Sequence, residues 1–136
     1  MTYGSIRHHI RIAAPVEEVW AKVSDAGALW TWFPGLTGCD VEGNQRTIHL
    51  GSGLSMPEQI ITNDPIQRRF QYSITAPMFP NHRGTIDVLE LAPGDTLVVY
   101  ATDADPRTMA LTIGGATRGA LAELKRQLET TDEGAA

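Results

Sequence analysis

The stretch PRTMALTIGGATRGALAELKRQL, residues 106–128, decides the fold. Its apolar side chains recur at helical spacing, with Met109, Ile113, Thr117, Ala120, Leu121, Leu124 and Leu128 on one side and Arg118, Lys125 and Arg126 away from it. This is the longest periodic segment of the chain, and an amphipathic helix of that length must bury its stripe against another layer. Gly114, Gly115 and Gly119 lie inside it, each costing about 1 kcal/mol relative to alanine. A compensating feature is expected, either a close approach of the helix to its partner layer or room left for a ligand. The small polar residues 130–136 read as a frayed, disordered tail.

Upstream of the helix the period changes to that of strands. Expected strands are Gly38–Glu42, Arg46–Gly51, Met56–Thr62, Arg69–Ala76, Arg83–Leu91 and Thr96–Asp103. Turn chemistry separates them, as at Gly43-Asn44, Gly51-Ser52-Gly53, Asn63-Asp64-Pro65 and Pro93-Gly94-Asp95. At the N-terminal end Ile6, His8, Ile10 and Ile12 alternate with Arg7, His9 and Arg11, a further strand with one buried face. Ala14 and Pro15 open a helix with the stripe Val16, Val19, Trp20 and Val23, stopping between Ser24 and Gly27. A second short helix is expected over about Ala28–Phe33, ended by Pro34 and Gly35.

The order is strand, two short helices, six strands, long helix. Antiparallel strands twist and curl, so a helix laid across seven of them closes a cavity. The fold class expected is α+β: a helix-grip domain over residues 1–129, its seven-stranded curved antiparallel sheet wrapped around the C-terminal helix.

Composition narrows the function. At 136 residues there is room for one domain, and a 42% hydrophobic, 20% charged chain is globular. A formal net charge of -5 argues against a nucleic-acid partner and against anionic membrane surfaces. The single cysteine, Cys39, rules out an intrachain disulfide framework and suits a reducing compartment; with no signal segment and no apolar run long enough to span a bilayer, a cytoplasmic location without integral membrane association is expected.

The chain resembles the START-like superfamily, specifically its small polyketide cyclase/dehydrase-like members. The resemblance rests on Ile10-Arg-Ile-Ala-Ala-Pro15, Val19-Trp20, Trp32-Phe-Pro34 and Arg46-Thr-Ile-His-Leu50. Glu58, Asp64, Arg68, Tyr72 and the helix end Leu121-Ala-Glu-Leu-Lys125 extend it over roughly residues 4–129. It implies a helix-grip fold. Proteins of this shape include ligand carriers, aromatase/cyclases, lipid-transfer proteins and co-chaperone-like binders, so function must come from the site.

Glu58 is the most informative polar residue. Strand period puts it on one face with Ile60 and Thr62, and a hairpin turning at Asn63–Gln67 adds Phe70, Tyr72 and Ile74 to that face. A carboxylate there would be desolvated and drawn toward general-acid chemistry, or would hold a ligand hydroxyl; the alternative is an ion pair with Arg46 or Arg69. Tyr72 and His8 each offer one polar atom on an otherwise apolar face. Asp87 fits either face. Trp32 and Phe33 are expected at the pocket mouth, with Met109 and Ile113 lining the helix side and Met56, Met78 and Phe79 as compliant walls. His8, His9, His49 and His82 match no compact zinc spacing, so neither a metal nor a cofactor is expected. Gly51-Ser-Gly-Leu-Ser55 lacks the lysine and following helix of a phosphate loop, and no Ser-His-Asp order with its flanking motif is recognisable.

Three functions compete. A binding protein enclosing a small hydrophobic or aromatic molecule needs an apolar pocket with a few orienting groups. A cyclase/aromatase-like enzyme needs polar groups converging inside it. An interaction module needs a filled interior. Binding is the reading preferred, with Glu58→Gln expected to weaken it while leaving folding intact.

Overall fold

The computed structural model describes residues 3–135, with side chains as far as residue 130. Strand β1 (Gly4–Ile12) is followed by helix α1 (Val16–Ser24), a short 3-10 helix (Ala26–Thr31) and six strands: β2 (Leu36–Glu42), β3 (Gln45–Leu50), β4 (Ser55–Asp64), β5 (Arg69–Ile74), β6 (Asn81–Ala92) and β7 (Asp95–Asp105). Helix α2 (Arg107–Ala135) closes the chain. The strands form one seven-stranded antiparallel sheet in the order β1-β7-β6-β5-β4-β3-β2, so every pairing is a hairpin except that of the first strand with the last. This is the expected helix-grip α+β architecture. Of the expected tail, 130–136, the side chains beyond residue 130 lie outside those described.

Alternation does most of the work. Along β7, Thr96, Val98, Tyr100, Thr102 and Ala104 are all buried while their neighbours are half-exposed. The β1–β7 register runs unbroken from Gly4↔Ala104 to Ile12↔Thr96. Ile86, Val88, Val98 and Tyr100 form the inner floor, and Leu121 and Leu124 of α2 are buried in the same core. Full burial of each such leucine is worth about 1.5–3 kcal/mol.

α2 lies across β1 and β7, and Gly114 shows why. A Cβ there would sit 2.6 Å from Cγ2 of Ile6, so the glycine permits the close approach. At Gly115 and Gly119 nothing among the described residues lies within 4 Å of where a Cβ would sit, so no close approach accounts for them. The far end of α2 is latched to the start of the chain: Glu129 accepts the Ala13 N–H at 2.9 Å, and Lys125 donates to the Arg11 carbonyl at 2.7 Å.

Two local departures from the sequence reading have clear causes. The second helix begins and ends two residues earlier than expected, because Pro34 disfavours helical geometry at Phe33 and Trp32 has already left it at φ -131°. The β4–β5 register shifts between Ile60 and Thr62. An extra residue in one strand reverses the facing of the residues beyond it. Thr62 therefore does not share a face with Glu58; its hydroxyl donates to Gln71 at 2.9 Å, and Gln71 donates to Thr85 at 3.1 Å on the outer surface. Asn63 takes the inner direction and donates to the Ser24 carbonyl at 3.0 Å.

Candidate functional site

Before the bulge, the inner face is as the alternation implies. Glu58 stands opposite Ile74 and Ile60 opposite Tyr72, while on the other side Arg46 stands directly opposite Glu58. Arg46 points inward because it shares its face with Ile48 and Leu50. The two charges are sealed in: side-chain exposure is 1% for Arg46 and 2% for Glu58, with Nε to Oε1 at 2.7 Å. Of the alternatives for Glu58, the structure gives the ion pair with Arg46, and gives it buried. Burial lifts the Glu58 pKa above the ordinary carboxylate range, with the guanidinium working against that rise. Arg46 also donates through Nη1 to the Ala26 carbonyl at 3.2 Å, and its guanidinium carbon lies 4.9 Å from the Tyr72 ring centre and 5.4 Å from that of Phe70.

Tyr72 extends the cluster. Its hydroxyl meets that of Tyr100 at 2.5 Å, and burial pushes the pKa of both phenols up, so each stays protonated across the biological range. Gly84 makes room for the Tyr72 ring, since a Cβ at that position would lie 2.6 Å from it. His82, two residues earlier on the same face, has its ring centre 5.6 Å from that of Tyr72. Its Nδ1 accepts the Ile74 N–H at 2.9 Å, which puts the ring proton on Nε2. Burial lowers the His82 pKa to about 4, with Asp103 opposing, so the ring is neutral near pH 7.

Four of the buried side-chain atoms left without a hydrogen-bond partner among the described residues belong to this interior: Trp32 Nε1, Arg46 Nη2, His82 Nε2 and Thr102 Oγ1. The first three can only donate. Buried donors are nearly always paired in folded proteins, so these atoms mark where the interior departs from that rule.

A cleft of about 710 Å³ opens where β5 and β6 part, bounded by Ile74, Ala76, Phe79 and His82 and rimmed by Asn81 and Asp103. That volume is in the range of small-molecule sites. It lies at the strand ends and takes none of its lining from α2. The sequence reading places the cavity between the sheet and α2 instead, where Val88, Val98, Tyr100, Leu121 and Leu124 belong to the buried core.

Of the residues singled out in the sequence, Glu58 and Tyr72 are brought together in the buried cluster, and Ile74 lines the cleft. Ile60, Met109 and Ile113 are half-buried against the core, outside the cleft lining. His8 is half-buried on β1 opposite Tyr100. Trp32 is 1% exposed and Phe33 half-buried, the one within the core and the other packed against it, and neither lines the cleft; Phe33 reaches Tyr100 at 6.5 Å between ring centres. Met78 is exposed and Asp87 faces outward to Arg69. The sequence reading missed Tyr100, Thr102 and His82 as site residues and weighed Arg46 only as a partner. The signal was present, since each shares a strand face with apolar residues: Arg46 with Ile48, Tyr100 and Thr102 with Val98, His82 with Ile86.

Comparison with known proteins agrees with the architecture. No curated protein matches the sequence. Among solved structures, protein XoxI from Bacillus cereus superposes with a TM-score of 0.87 at 19% identity, covering 95% of this chain and 98% of that one. A START superfamily protein from Mycobacterium smegmatis gives 0.77 at 20% identity, covering 93% and 98%. The Zhui aromatase/cyclase from a Streptomyces species gives 0.79 at 17% identity, covering 93% and 94%. At such identities these likenesses concern the fold alone. The family model described as polyketide cyclase / dehydrase and lipid transport matches residues 3–129, nearly the whole chain, and the protein therefore belongs to that family.

Proposed function

We propose that the protein binds a small hydrophobic or aromatic molecule in the cleft between β5 and β6, with a ligand oxygen accepting from His82. The observation that carries this reading is the buried, neutral His82 ring, which borders the cleft and whose Nε2–H has no partner among the described residues. Ile74, Ala76 and Phe79 supply apolar burial, and the polar rim keeps the mouth wetted. No helix among the described residues is long and apolar enough to cross a membrane. The free Cys39 thiol supports a reducing, cytoplasmic setting.

The test compares two probes of similar size, 2-acetonaphthone with its ketone oxygen and naphthalene without one, by fluorescence titration. Replacing His82 with Phe should weaken the ketone about tenfold, the worth of one buried hydrogen bond, while changing naphthalene little. Equal affinities of wild type and variant for the ketone would defeat the reading, provided urea unfolding shows both folded.

A second reading has its own observation. A neutral imidazole N–H at a substrate carbonyl can polarise it toward an enol, the step that aldol condensation and dehydration share. His82 has that protonation state, and the Tyr72–Tyr100 phenols stand behind it. Consumption of a polyketone by wild type but not by the His82 variant would favour the enzyme over the carrier.

A further inference from the structure

Across the outer face of the sheet, three adjacent strands bring together a serine, a histidine and an aspartate. Ser55 at the start of β4 stands opposite His49 of β3, and its Oγ lies 2.7 Å from His49 Nδ1. His49 Nε2 lies 2.6 Å from Asp40 Oδ2 on β2. The residue opposite His49 on β2 is Gly38, and a Cβ there would come within 3.7 Å of the imidazole Cδ2; the ring thus passes over a bare stretch of backbone to reach Asp40. Each of the three residues comes from its own strand. They are assembled by strand register, which explains why no sequence motif announces them.

The proton positions are set by the partners. In the neutral ring, Asp40 accepting only, the proton sits on Nε2 and Nδ1 is left as the acceptor for the Ser55 hydroxyl. This is the logic of an activated nucleophile: a hydroxyl bonded to a base that is itself oriented by a carboxylate. We propose that Ser55, with His49 as general base and Asp40 as its positioning residue, is an acyl-accepting site for small activated esters on the outer face of the sheet, separate from the cleft.

The step balances without a cofactor. Ser55 Oγ bonds to the ester carbonyl carbon as its proton passes to His49 Nδ1, and the carbon–alkoxide bond breaks as that proton passes to the leaving alcohol. Water then repeats the sequence, displacing the serine and releasing the acid. Side-chain exposure of 36% for His49 and 81% for Asp40 keeps the carboxylate hydrated, so its orienting effect resembles that of a surface pair. Turnover is accordingly slow, and the acyl-serine is the species to look for.

The experiment uses the full chain with p-nitrophenyl acetate, followed by peptide mass spectrometry and by release of nitrophenol. Acetyl should appear on the peptide carrying Ser55. Ser55→Ala and His49→Asn should each lower hydrolysis about tenfold, less than the roughly hundredfold or more of an enclosed general base because this group is exposed to water, and Asp40→Asn a few-fold. Acetyl found only elsewhere, on lysine, Tyr3 or another histidine, would overturn the proposal. So would Ser55→Ala hydrolysing at the wild-type rate. Because Ser55 is exposed and takes no part in the cleft lining, its alanine variant should keep wild-type affinity for 2-acetonaphthone, which separates failure of this site from failure of the cleft and doubles as a check on folding.

Discussion

Among the sheet's cross-strand arginine–carboxylate pairs, two stand in direct register and differ mainly in which face they occupy. Arg46 and Glu58 stand directly opposite each other on β3 and β4, as do Arg69 and Asp87 on β5 and β6. The first pair meets at 2.7 Å with side chains 1% and 2% exposed; the second meets at 3.1 Å with side chains 41% and 30% exposed. The register is the same and the chemistry nearly so. What changes is the solvent. Inside, the charges have lost their hydration and depend on one another, on the Ala26 carbonyl and on the faces of Phe70 and Tyr72. Outside, water solvates both, and the pair adds little to what each charge already has.

The largest effect should come from unbalancing the inner pair. Glu58→Gln leaves a buried guanidinium without its counter-charge, a change that costs about 3–5 kcal/mol in comparable cases. From sequence this substitution is expected to spare folding; the buried ion pair predicts instead that it does not. Urea unfolding would show the loss as a lowered midpoint. Replacing both partners, Arg46→Met with Glu58→Leu, should restore most of the stability, since an apolar pair of similar volume needs no compensation. If the double variant were as unstable as the single, packing rather than charge would be the cause.

Next in size is a test of the space between the inner rings. Gly84→Ala would place a methyl group 2.6 Å from the Tyr72 ring and push it off Tyr100, an overpacking expected to cost about 1–3 kcal/mol. Gly119→Ala, on the open side of α2, should instead stabilise by up to about 1 kcal/mol, because nothing among the described residues lies within 4 Å of the added carbon. Thermal unfolding of the two variants should thus shift in opposite directions. A shared sign would mean that helix and strand glycines are not being distinguished by their surroundings.

These contrasts also mark how far the sequence could be read. The helix-grip order was legible because it rests on period: the 106–128 stripe, the alternation in β1 and β7, and turn residues between strands. Glu58 with Tyr72 was legible for the same reason. Thr62 was not, since a bulge at Ile61 changes facing without leaving a glycine or proline to betray it. Arg46 was discounted because charged residues are almost never fully buried unless paired, and pairing is a property of register rather than of either residue. His82 was overlooked for a similar reason: its role comes from replacing a ladder carbonyl as acceptor for the Ile74 N–H, a substitution visible only once β5 and β6 are seen to part.

His82 gives the comparison a pH axis. Its folded pKa of about 4 lies below the ordinary value, so at pH values between the two the unfolded chain binds a proton that the folded chain excludes. Stability is full above the ordinary histidine range and is lost as pH falls toward 4, by no more than about 1.4 kcal/mol per pH unit for one proton. Urea midpoints measured between about pH 7 and pH 5, where most carboxylates remain ionised, should decline in the wild type and flatten in His82→Gln. An unchanged slope in the variant would assign the decline to other groups.

The smallest effect belongs to the outer pair, and it is the one that makes the comparison strict. Asp87→Asn removes the same kind of counter-charge as Glu58→Gln, from a residue with the same cross-strand geometry to its arginine. Arg69 can turn its guanidinium into water when its partner is lost, so the expected cost is only about 0.2–1 kcal/mol, and it should shrink further in added salt as screening weakens what Coulomb attraction there was. Urea unfolding at low and high salt measures both quantities. A loss as large as that of Glu58→Gln, or one insensitive to salt, would mean that burial does not set the worth of these pairs, and the inner cluster would then need an explanation other than desolvation.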